Sequence, residues 1–196
     1  MPITKREKLV FIVTLAGSPK VSSRSSSLLR HLSRILATEH IEIKPYAAHD
    51  FDAYILLSGD VSHASIQAFQ ADVARADGVV IATPVYQASI SGVLKTLLDV
   101  LPQQALANKT ILPLASAGSL AHLLALDYAL KPVLGAMKAQ DILSGVFAQD
   151  AQIHIQNERT VLDEDLRMRL EAAAQQFTHA IRCRRFHHAD LQAAVA

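Results

Sequence analysis

The sequence predicts an α/β protein in which a parallel sheet is covered by helices on both faces. Short apolar runs rich in β-branched residues alternate along the chain with longer segments whose apolar residues recur with a helical period. Three of the short runs are apolar almost without interruption, which is typical of strands buried on both faces. A chain of 196 residues is long enough for one well-buried core and too short for two comfortable domains. We therefore expect a single domain over 1–196, with 181–196 as a flexible C-terminal tail.

Five strands and five helices account for the pattern. The strands are expected at 8–16, 41–46, 78–83, 110–116 and 141–148. Helical spacing is present over 28–36, 66–76, 94–101 and 162–181, and 120–139 supplies the remaining helix. The connections Ala47–Asp60 and Gln149–Thr160 are expected as surface loops. With right-handed crossovers, these elements give the strand order 2-1-3-4-5 of a flavodoxin-like three-layer sandwich.

Composition limits the partners and the compartment. The 19 Lys and Arg residues nearly cancel the 18 Asp and Glu residues, so we expect neither a nucleic-acid partner nor a membrane partner. No apolar run reaches the roughly 18 residues needed to cross a bilayer. Cys183 is the only cysteine, which excludes an internal disulfide framework and favours the cytoplasm. The histidines show no metal-ligand spacing, so no metal site is expected.

The segment 120–139 is unusual because its leucines and alanines surround almost the whole helix. A helix that is apolar on all sides needs cover on all sides. The apolar surface of this helix is covered either by the rest of its own domain or by another subunit. We favour a homo-oligomer, which is either a dimer or a tetramer. Pro132 predicts a kink or a boundary near Leu130 and Lys131.

A cluster of serines follows the first strand and leads into the first helix, where open α/β sheets bind ligands. The free N–H groups and dipole of a helix N-terminus favour an anion there. The loop after the first strand contains only one glycine, Gly17, whereas a dinucleotide-binding loop needs three. It also lacks the Gly-Lys-Ser/Thr ending of a loop that binds a nucleoside triphosphate. Both ligands are therefore disfavoured. A phosphate monoester fits best, although serines that merely cap the helix are the alternative. The predicted phosphate contacts are Ser18, Arg24, Ser25, Ser26 and Ser27.

Two more strand ends reach the same edge of the sheet. Thr83, Pro84, Val85 and Tyr86 are expected to form a stiff turn with an aromatic tip beside a flat ring, and Ser91 is expected to cap the next helix. After the fourth strand come Ser116, Ala117, Gly118 and Ser119, where glycine permits close backbone approach. A phosphate cradle, an aromatic turn and a glycine-containing loop together predict a mononucleotide with a flat polycyclic head, namely FMN.

Three stretches of the sequence resemble the NAD(P)H-dependent FMN reductases of sulfonate utilisation, which serve two-component alkanesulfonate and methanesulfonate monooxygenases. They are "GSPKVSSRSSSLL", "ATPVYQASISGVLKTLLDVLP" and "LAHLLALDYALKPVLGAMKAQDILSGVFAQD", and the segment "LLALDYALKPVL" is the most specific. The resemblance implies hydride transfer from NADPH, or NADH, to FMN and a monooxygenase partner that uses the reduced FMN.

The same resemblance implies that Tyr128 produces a π-helical turn at a tetramer interface and makes FMN an exchangeable substrate. It implies no catalytic acid or base, because stacking and orientation of the two rings suffice. Two positions depart from the family pattern. Ala117 and Gly118 stand where two glycines are frequent, and Gln87 stands where lysine is frequent.

Two other functions fit the same scaffold. One is a quinone, azo or chromate reductase that retains its FMN, and the other is a flavodoxin-like electron carrier without enzymatic activity. Carriers of that kind are strongly acidic, whereas this chain has a formal net charge of +1. His122 is the one histidine expected near the flavin, with a helix-packing role as its alternative.

Overall fold

A parallel sheet forms the centre of the computed structural model, which describes residues 9–38, 40–156 and 159–195. Its strands are β1 (Val10–Ala16), β2 (Ile41–Ala47), β3 (Gly78–Tyr86), β4 (Ser89–Ile90), β5 (Thr110–Ala117), β6 (Asp141–Ile142) and β7 (Val146–Gln149). The order is β2-β1-β3-β5, with β6 and β7 both paired to β5 and the short β4 antiparallel to β3. The predicted flavodoxin-like order is thereby confirmed.

The fifth predicted strand is divided into β6 and β7. Gly145 lies in the gap with a φ of +85°, and an added Cβ would stand 2.5 Å from the Pro113 oxygen. A residue with positive φ cannot continue a regular strand, so pairing with β5 stops after Ile142 and resumes at Val146. Both pieces pair with β5 in parallel.

Helices cover both faces of the sheet. They are α1 (Arg24–Leu36), α2 (Ala53–Ser58), α3 (Ala64–Arg75), α4 (Gly92–Asp99), α5 (Lys131–Ala136) and α6 (Glu164–Val195). Leucines of α1 pack with Phe177 and Ile181 of α6 on one face. Residues of α3, α4 and α5, among them Phe69 and Leu97, form the core of the other face. Two apolar cores on opposite faces of one sheet make the expected three-layer sandwich.

Two predicted loops contain regular structure. Within Ala47–Asp60, a 3₁₀ turn (Ala48–Asp50) precedes α2, whose first N–H groups donate to the Asp52 carboxylate and whose C-cap is Gly59 at a φ of +66°. Within Gln149–Thr160, a 3₁₀ turn (Asp150–Gln152) leads into an antiparallel hairpin of β8 (Ile153–Gln156) and β9 (Arg159–Leu162). Both loop predictions are wrong in this respect.

The apolar segment 120–139 has three parts. A 3₁₀ turn (Leu120–His122) is followed by a π-helical turn (Leu126–Leu130) and then by α5, which begins at Lys131 and has Pro132 in its first turn. Proline is tolerated there because the first N–H groups of a helix have no partner within the helix. The predicted boundary at Leu130 and Lys131 is confirmed, and so is the π-helical turn at Tyr128.

The C-terminal segment continues helix α6. We expected a flexible tail over 181–196, and the backbone is helical as far as Val195. Ile181 is buried, and Arg185 donates to both carboxylate oxygens of Asp77, each at 2.8 Å. The first residues of this segment therefore pack against the amino-terminal edge of the sheet. Within the part of the chain that the structure describes, no helix is both long and apolar enough to cross a membrane.

Candidate active site

The loops after β1 and β3 are locked together at Gly17. The Gly17 N–H donates to the Ala82 carbonyl oxygen at 2.7 Å, and the Ser91 hydroxyl donates to the Gly17 carbonyl oxygen. A Cβ at position 17 would lie 2.8 Å from the Cβ of Leu94 and 3.0 Å from the Ala82 oxygen. Only glycine lets the first loop approach β3 and α4 this closely.

The serine cluster lies at the N-terminus of α1. Ser23 is the N-cap, and its hydroxyl accepts from the Ser26 N–H at 3.1 Å and donates to the Ser26 hydroxyl at 2.8 Å. Ser18, Ser25, Ser26 and Ser27 are all buried. No acidic residue lies in the first turn of α1. One serine serves as the cap, so the buried hydroxyls beside it exceed what capping requires.

The arginine predicted for this site has a partner on another loop. Arg24 Nη1 lies 3.6 Å from Asp150 Oδ2, and the Arg24 side chain is 51% exposed. Such an exposed pair contributes little stability, so the guanidinium can exchange this partner for another anion at small cost. Asp150 follows β7 and was not predicted to approach the site.

Arg30 also belongs to this region, although it was not among the predicted site residues. Its guanidinium donates to the Ser27 hydroxyl at 2.9 Å and to the Val21 carbonyl oxygen at 3.2 Å. It therefore ties the first turn of α1 to the loop before it. The spacing of three residues between Ser27 and Arg30 on a predicted helix is the signal that identifies such a contact.

The predicted turn at Thr83–Tyr86 is wrong. These residues extend β3, and the turn falls three residues later, between Tyr86 and Ser89, which pair with each other. Gln87 and Ala88 have φ values of +48° and +59°, as a two-residue type I′ hairpin turn requires. This turn could not be predicted because the usual Asn-Gly signal of such turns is absent from the sequence.

The end of β3 still brings the predicted side chains to this edge. Thr83 is buried, and its hydroxyl accepts from the Ser91 N–H at 3.2 Å and donates to the Pro84 carbonyl oxygen at 2.8 Å. Pro84 and Val85 are half-buried, and Tyr86 is 46% exposed. Ser91 caps α4 as expected. An aromatic side chain therefore stands in solvent near the strand ends.

The loop after β5 is the third part of the site. Ser116 and Ala117 are buried, whereas Gly118 and Ser119 are exposed. A Cβ on Gly118 would meet nothing within 4 Å, so a ligand can approach this backbone without displacing protein atoms. The Ser119 hydroxyl accepts from the Ala121 N–H at 3.2 Å. Nearby, Nδ1 of His122 is buried and has no hydrogen-bond partner.

The π-helical turn packs beside the β3–β4 hairpin, since β4 and the turn are in contact. At its end, the Lys131 N–H donates to the Leu126 carbonyl oxygen, five residues earlier. Tyr128 is 78% exposed. Single π-helical turns are frequently found at functional sites.

This edge of the sheet fits a phosphate monoester that carries a flat ring. Buried hydroxyls, the free N–H groups of α1 and a nearby guanidinium are the donors that phosphate oxygens accept. Half-buried and exposed side chains at the end of β3 and the open backbone at Gly118 leave room beside them for a ring. Among the described residues, no group of three His, Cys, Asp or Glu side chains is arranged to hold a metal ion.

The sheet order and this group of loops define a flavodoxin-like oxidoreductase. Residues 10–153 match the family described as NADPH-dependent FMN reductase. The chain is 45% identical to the FMN reductase (NADPH) of Escherichia coli (strain K12), over 92% of each chain. It is 49% identical to the FMN reductase (NADPH) of Pseudomonas putida (strain KT2440), over 74% of this chain and 73% of the relative. The chain belongs to the NADPH-dependent FMN reductase family.

A solved structure agrees with this assignment. The apo form of the NADH:FMN oxidoreductase EMOB is 36% identical, with a TM-score of 0.78 over 87% of this chain and 89% of that chain. The protein is an enzyme, an NAD(P)H:FMN oxidoreductase, and its cofactors are FMN and NADPH or NADH. The predicted activity and cofactors are confirmed.

Proposed function

We propose that the enzyme releases reduced FMN to a flavin-dependent monooxygenase of sulfonate utilisation, in the cytoplasm. The observation that carries this proposal is the π-helical turn Leu126–Leu130 with the exposed Tyr128 at its centre. It lies in the segment "LLALDYALKPVL", which resembles the reductases of sulfonate utilisation most specifically. A reductase that supplies another enzyme must bind FMN as an exchangeable substrate.

The FMN phosphate is assigned to the N-terminus of α1. Ser18, Ser25, Ser26 and Ser27 are buried there, and Arg24 is the cation that can leave Asp150 for a phosphate oxygen. Charge-assisted hydrogen bonds of this kind are the stronger ones in proteins. Arg30 positions Ser27 and the preceding loop through its two hydrogen bonds.

The isoalloxazine ring is assigned to the other two loops. Thr83, Pro84, Val85 and Tyr86 would line one side, and Ser116, Ala117, Gly118 and Ser119 would meet the pyrimidine edge. Hydride transfer from the nicotinamide C4 to the flavin N5 is the chemistry that the two bound molecules supply. The chain's own groups bind and orient the rings, and backbone N–H groups near Gly118 favour the negative charge of the reduced product.

Tyr128 and its neighbours are assigned to contact with further copies of the chain. Leu120, Leu124 and Tyr128 are exposed by 57%, 55% and 78%, although large apolar side chains of monomers are mostly buried. A homo-oligomer, dimer or tetramer, formed through residues 120–139 would cover them. Because the π-helical turn touches β4, such an interface would lie next to the flavin loops.

Flavin retention and turnover test the proposal together. We expect the purified protein to be nearly colourless near 450 nm and to oxidise NADPH only when FMN is added. In a mixture with a sulfonate monooxygenase and its sulfonate substrate, the rate at which sulfite is formed should rise in proportion to the amount of reductase. Tightly retained flavin together with quinone reduction would contradict the proposal and indicate the FMN-retaining reductase. Flavin binding without NADPH oxidation would also contradict it and would indicate the electron carrier.

A Tyr128→Ala variant tests the role of the π-helical turn. We expect this variant to retain more flavin on purification and to have a smaller sedimentation coefficient than the wild type. Tyr54→Ala is the matched control, since Tyr54 is equally exposed, at 78%, on helix α2. A Tyr128→Ala protein with unaltered flavin content, assembly and kinetics would contradict the assigned role.

A further inference from the structure

A cavity of about 560 Å³ lies between helix α1 and β2, the strand at the edge of the sheet. Ala16 of β1 and Ile43 and Pro45 of β2 line it from the sheet. Leu29, Ser33 and other residues of α1 line it from the helix. Small-molecule sites in proteins have volumes of about 300–1,000 Å³, and this cavity falls within that range.

The cavity combines an apolar interior with an unequal set of charges. Arg30 and Arg34 line it, opposed by one carboxylate, Asp50. Asp50 Oδ2 already accepts a hydrogen bond from the Ala47 N–H at 2.8 Å. Two guanidinium groups against one engaged carboxylate give the cavity a positive field, which favours an anionic ligand.

The two arginines differ in what they hold. Arg30 is bound to Ser27 and Val21 and so belongs to the loop before α1. Arg34 makes no ion pair or hydrogen bond with the residues that the structure describes, and its side chain is exposed. Its guanidinium N–H groups are therefore available to donate two hydrogen bonds to the carboxylate of a ligand, without breaking an existing contact.

We propose that this cavity binds an amphiphilic monoanion, a molecule with one carboxylate head and an apolar body. The head is bound by Arg34, and the body lies against Leu29, Ile43 and Pro45. Ser26 also lines the cavity, so the site adjoins the serine cluster but uses different side chains for its charge and apolar contacts.

Calorimetric titration of the purified full-length protein with sodium octanoate tests the proposal without any flavin. Octylammonium chloride and sodium acetate are the comparison ligands, because each lacks one of the two required features. We expect octanoate to bind at least tenfold more tightly than either. Arg34→Ala should weaken octanoate binding by about tenfold to hundredfold, and Arg34→Lys should restore part of it. Arg182→Ala is the matched control, an exposed arginine on α6 that should bind as the wild type does.

Several results would overturn the proposal. The first is that octanoate does not bind, and the second is that octylammonium or acetate binds as tightly as octanoate. The third is that Arg34→Ala and Arg182→Ala lose the same amount of affinity for octanoate. Complete displacement of octanoate by FMN would place the ligand in the flavin site and would also overturn it. Failure of FMN to bind would contradict the assigned phosphate site while leaving the octanoate result unaffected, so the two proposals fail separately.

Discussion

The Ser91 hydroxyl donates a hydrogen bond to the backbone carbonyl oxygen of Gly17, 74 positions earlier in the chain. The same hydroxyl accepts from the Leu94 N–H at 3.0 Å, and the Ser91 N–H donates to Thr83 at 3.2 Å. One buried serine thereby joins the loop after β1, the end of β3 and the start of α4. The positions of the assigned phosphate and ring loops depend on this junction.

Replacing Ser91 with alanine leaves the Gly17 oxygen and the Leu94 N–H without these partners. Because both lie in a buried place, we expect the free energy of unfolding to fall by about 1–3 kcal/mol. Urea denaturation measures the change, and Ser89→Ala, in the neighbouring hairpin, should change it by less than about 0.5 kcal/mol. Equal effects of the two substitutions would show that the Ser91 contacts add no stability of their own.

Gly17→Ala tests the close approach at the same junction. The added Cβ would stand 2.8 Å from the Leu94 Cβ, and overpacking of this kind costs about 1–3 kcal/mol. We expect a lower midpoint in thermal unfolding and a weaker affinity for FMN. Gly135→Ala is the control, because nothing lies within 4 Å of its added Cβ and helix propensity favours alanine by about 1 kcal/mol. A Gly17→Ala protein as stable as the wild type would contradict the packing described.

The hairpin turn at Gln87 and Ala88 holds two non-glycine residues at positive φ. A left-handed conformation costs an L-residue roughly 1–2 kcal/mol, a cost that glycine avoids. Ala88→Gly should therefore raise the free energy of unfolding by about 0.5–1 kcal/mol. The exposed Ala121 provides a control substitution to glycine, which should not stabilise the protein. A destabilised Ala88→Gly variant would show that the turn differs from the one described.

Tyr46 gives the stability a dependence on alkaline pH. Burial, and then the hydrogen bond that its hydroxyl donates to Asp72 at 2.6 Å, raise the pKa of Tyr46 above its ordinary value. A pKa raised by folding means that the protonated form stabilises the folded state below pH 10, and that this stability is lost as the pH rises further. Tyr46→Phe should therefore lose less stability than the wild type between pH 9.5 and 11, roughly the range around the ordinary tyrosine pKa. Tyr54→Phe, at an exposed position, should follow the wild-type curve, and identical curves for all three proteins would contradict the assigned role.

The order of the sheet and the π-helical turn could be predicted because their signals are local and strong. Continuous apolar runs indicate buried strands. The segment around Tyr128 resembles the reductases of sulfonate utilisation, and this resemblance implied the π-helical turn. Helix α2 also has a readable signal, Asp52 as its N-cap and Gly59 as its C-cap, although its six residues are too few to show a helical period.

Contacts between distant elements could not be predicted in the same way. Asp150, at the end of β7, forms an ion pair with Arg24, and Asp77 accepts a hydrogen bond from Arg185 of the last helix. These pairs depend on where the elements lie in space, which one sequence does not specify. The hairpin turn was missed for another reason. Gln87 and Ala88 are held at positive φ by the pairing of β3 with β4 and not by their own preferences.

Comparison of FMN with riboflavin tests the phosphate assignment most directly, because the two differ only by the phosphate group. Dissociation constants are measured by fluorescence quenching for the wild type, Arg24→Ala and Arg75→Ala. Arg75 lies on α3, with its guanidinium over the Phe11 ring near the start of β1, the end opposite the first loop. We expect the wild type and Arg75→Ala to prefer FMN by more than tenfold. Arg24→Ala should lose about tenfold to hundredfold in affinity for FMN, the equivalent of about 1.4–2.7 kcal/mol, with riboflavin unchanged. Equal affinities for FMN and riboflavin in the wild type, or an unchanged preference in Arg24→Ala, would contradict the placement of the phosphate at the N-terminus of α1 beside Arg24.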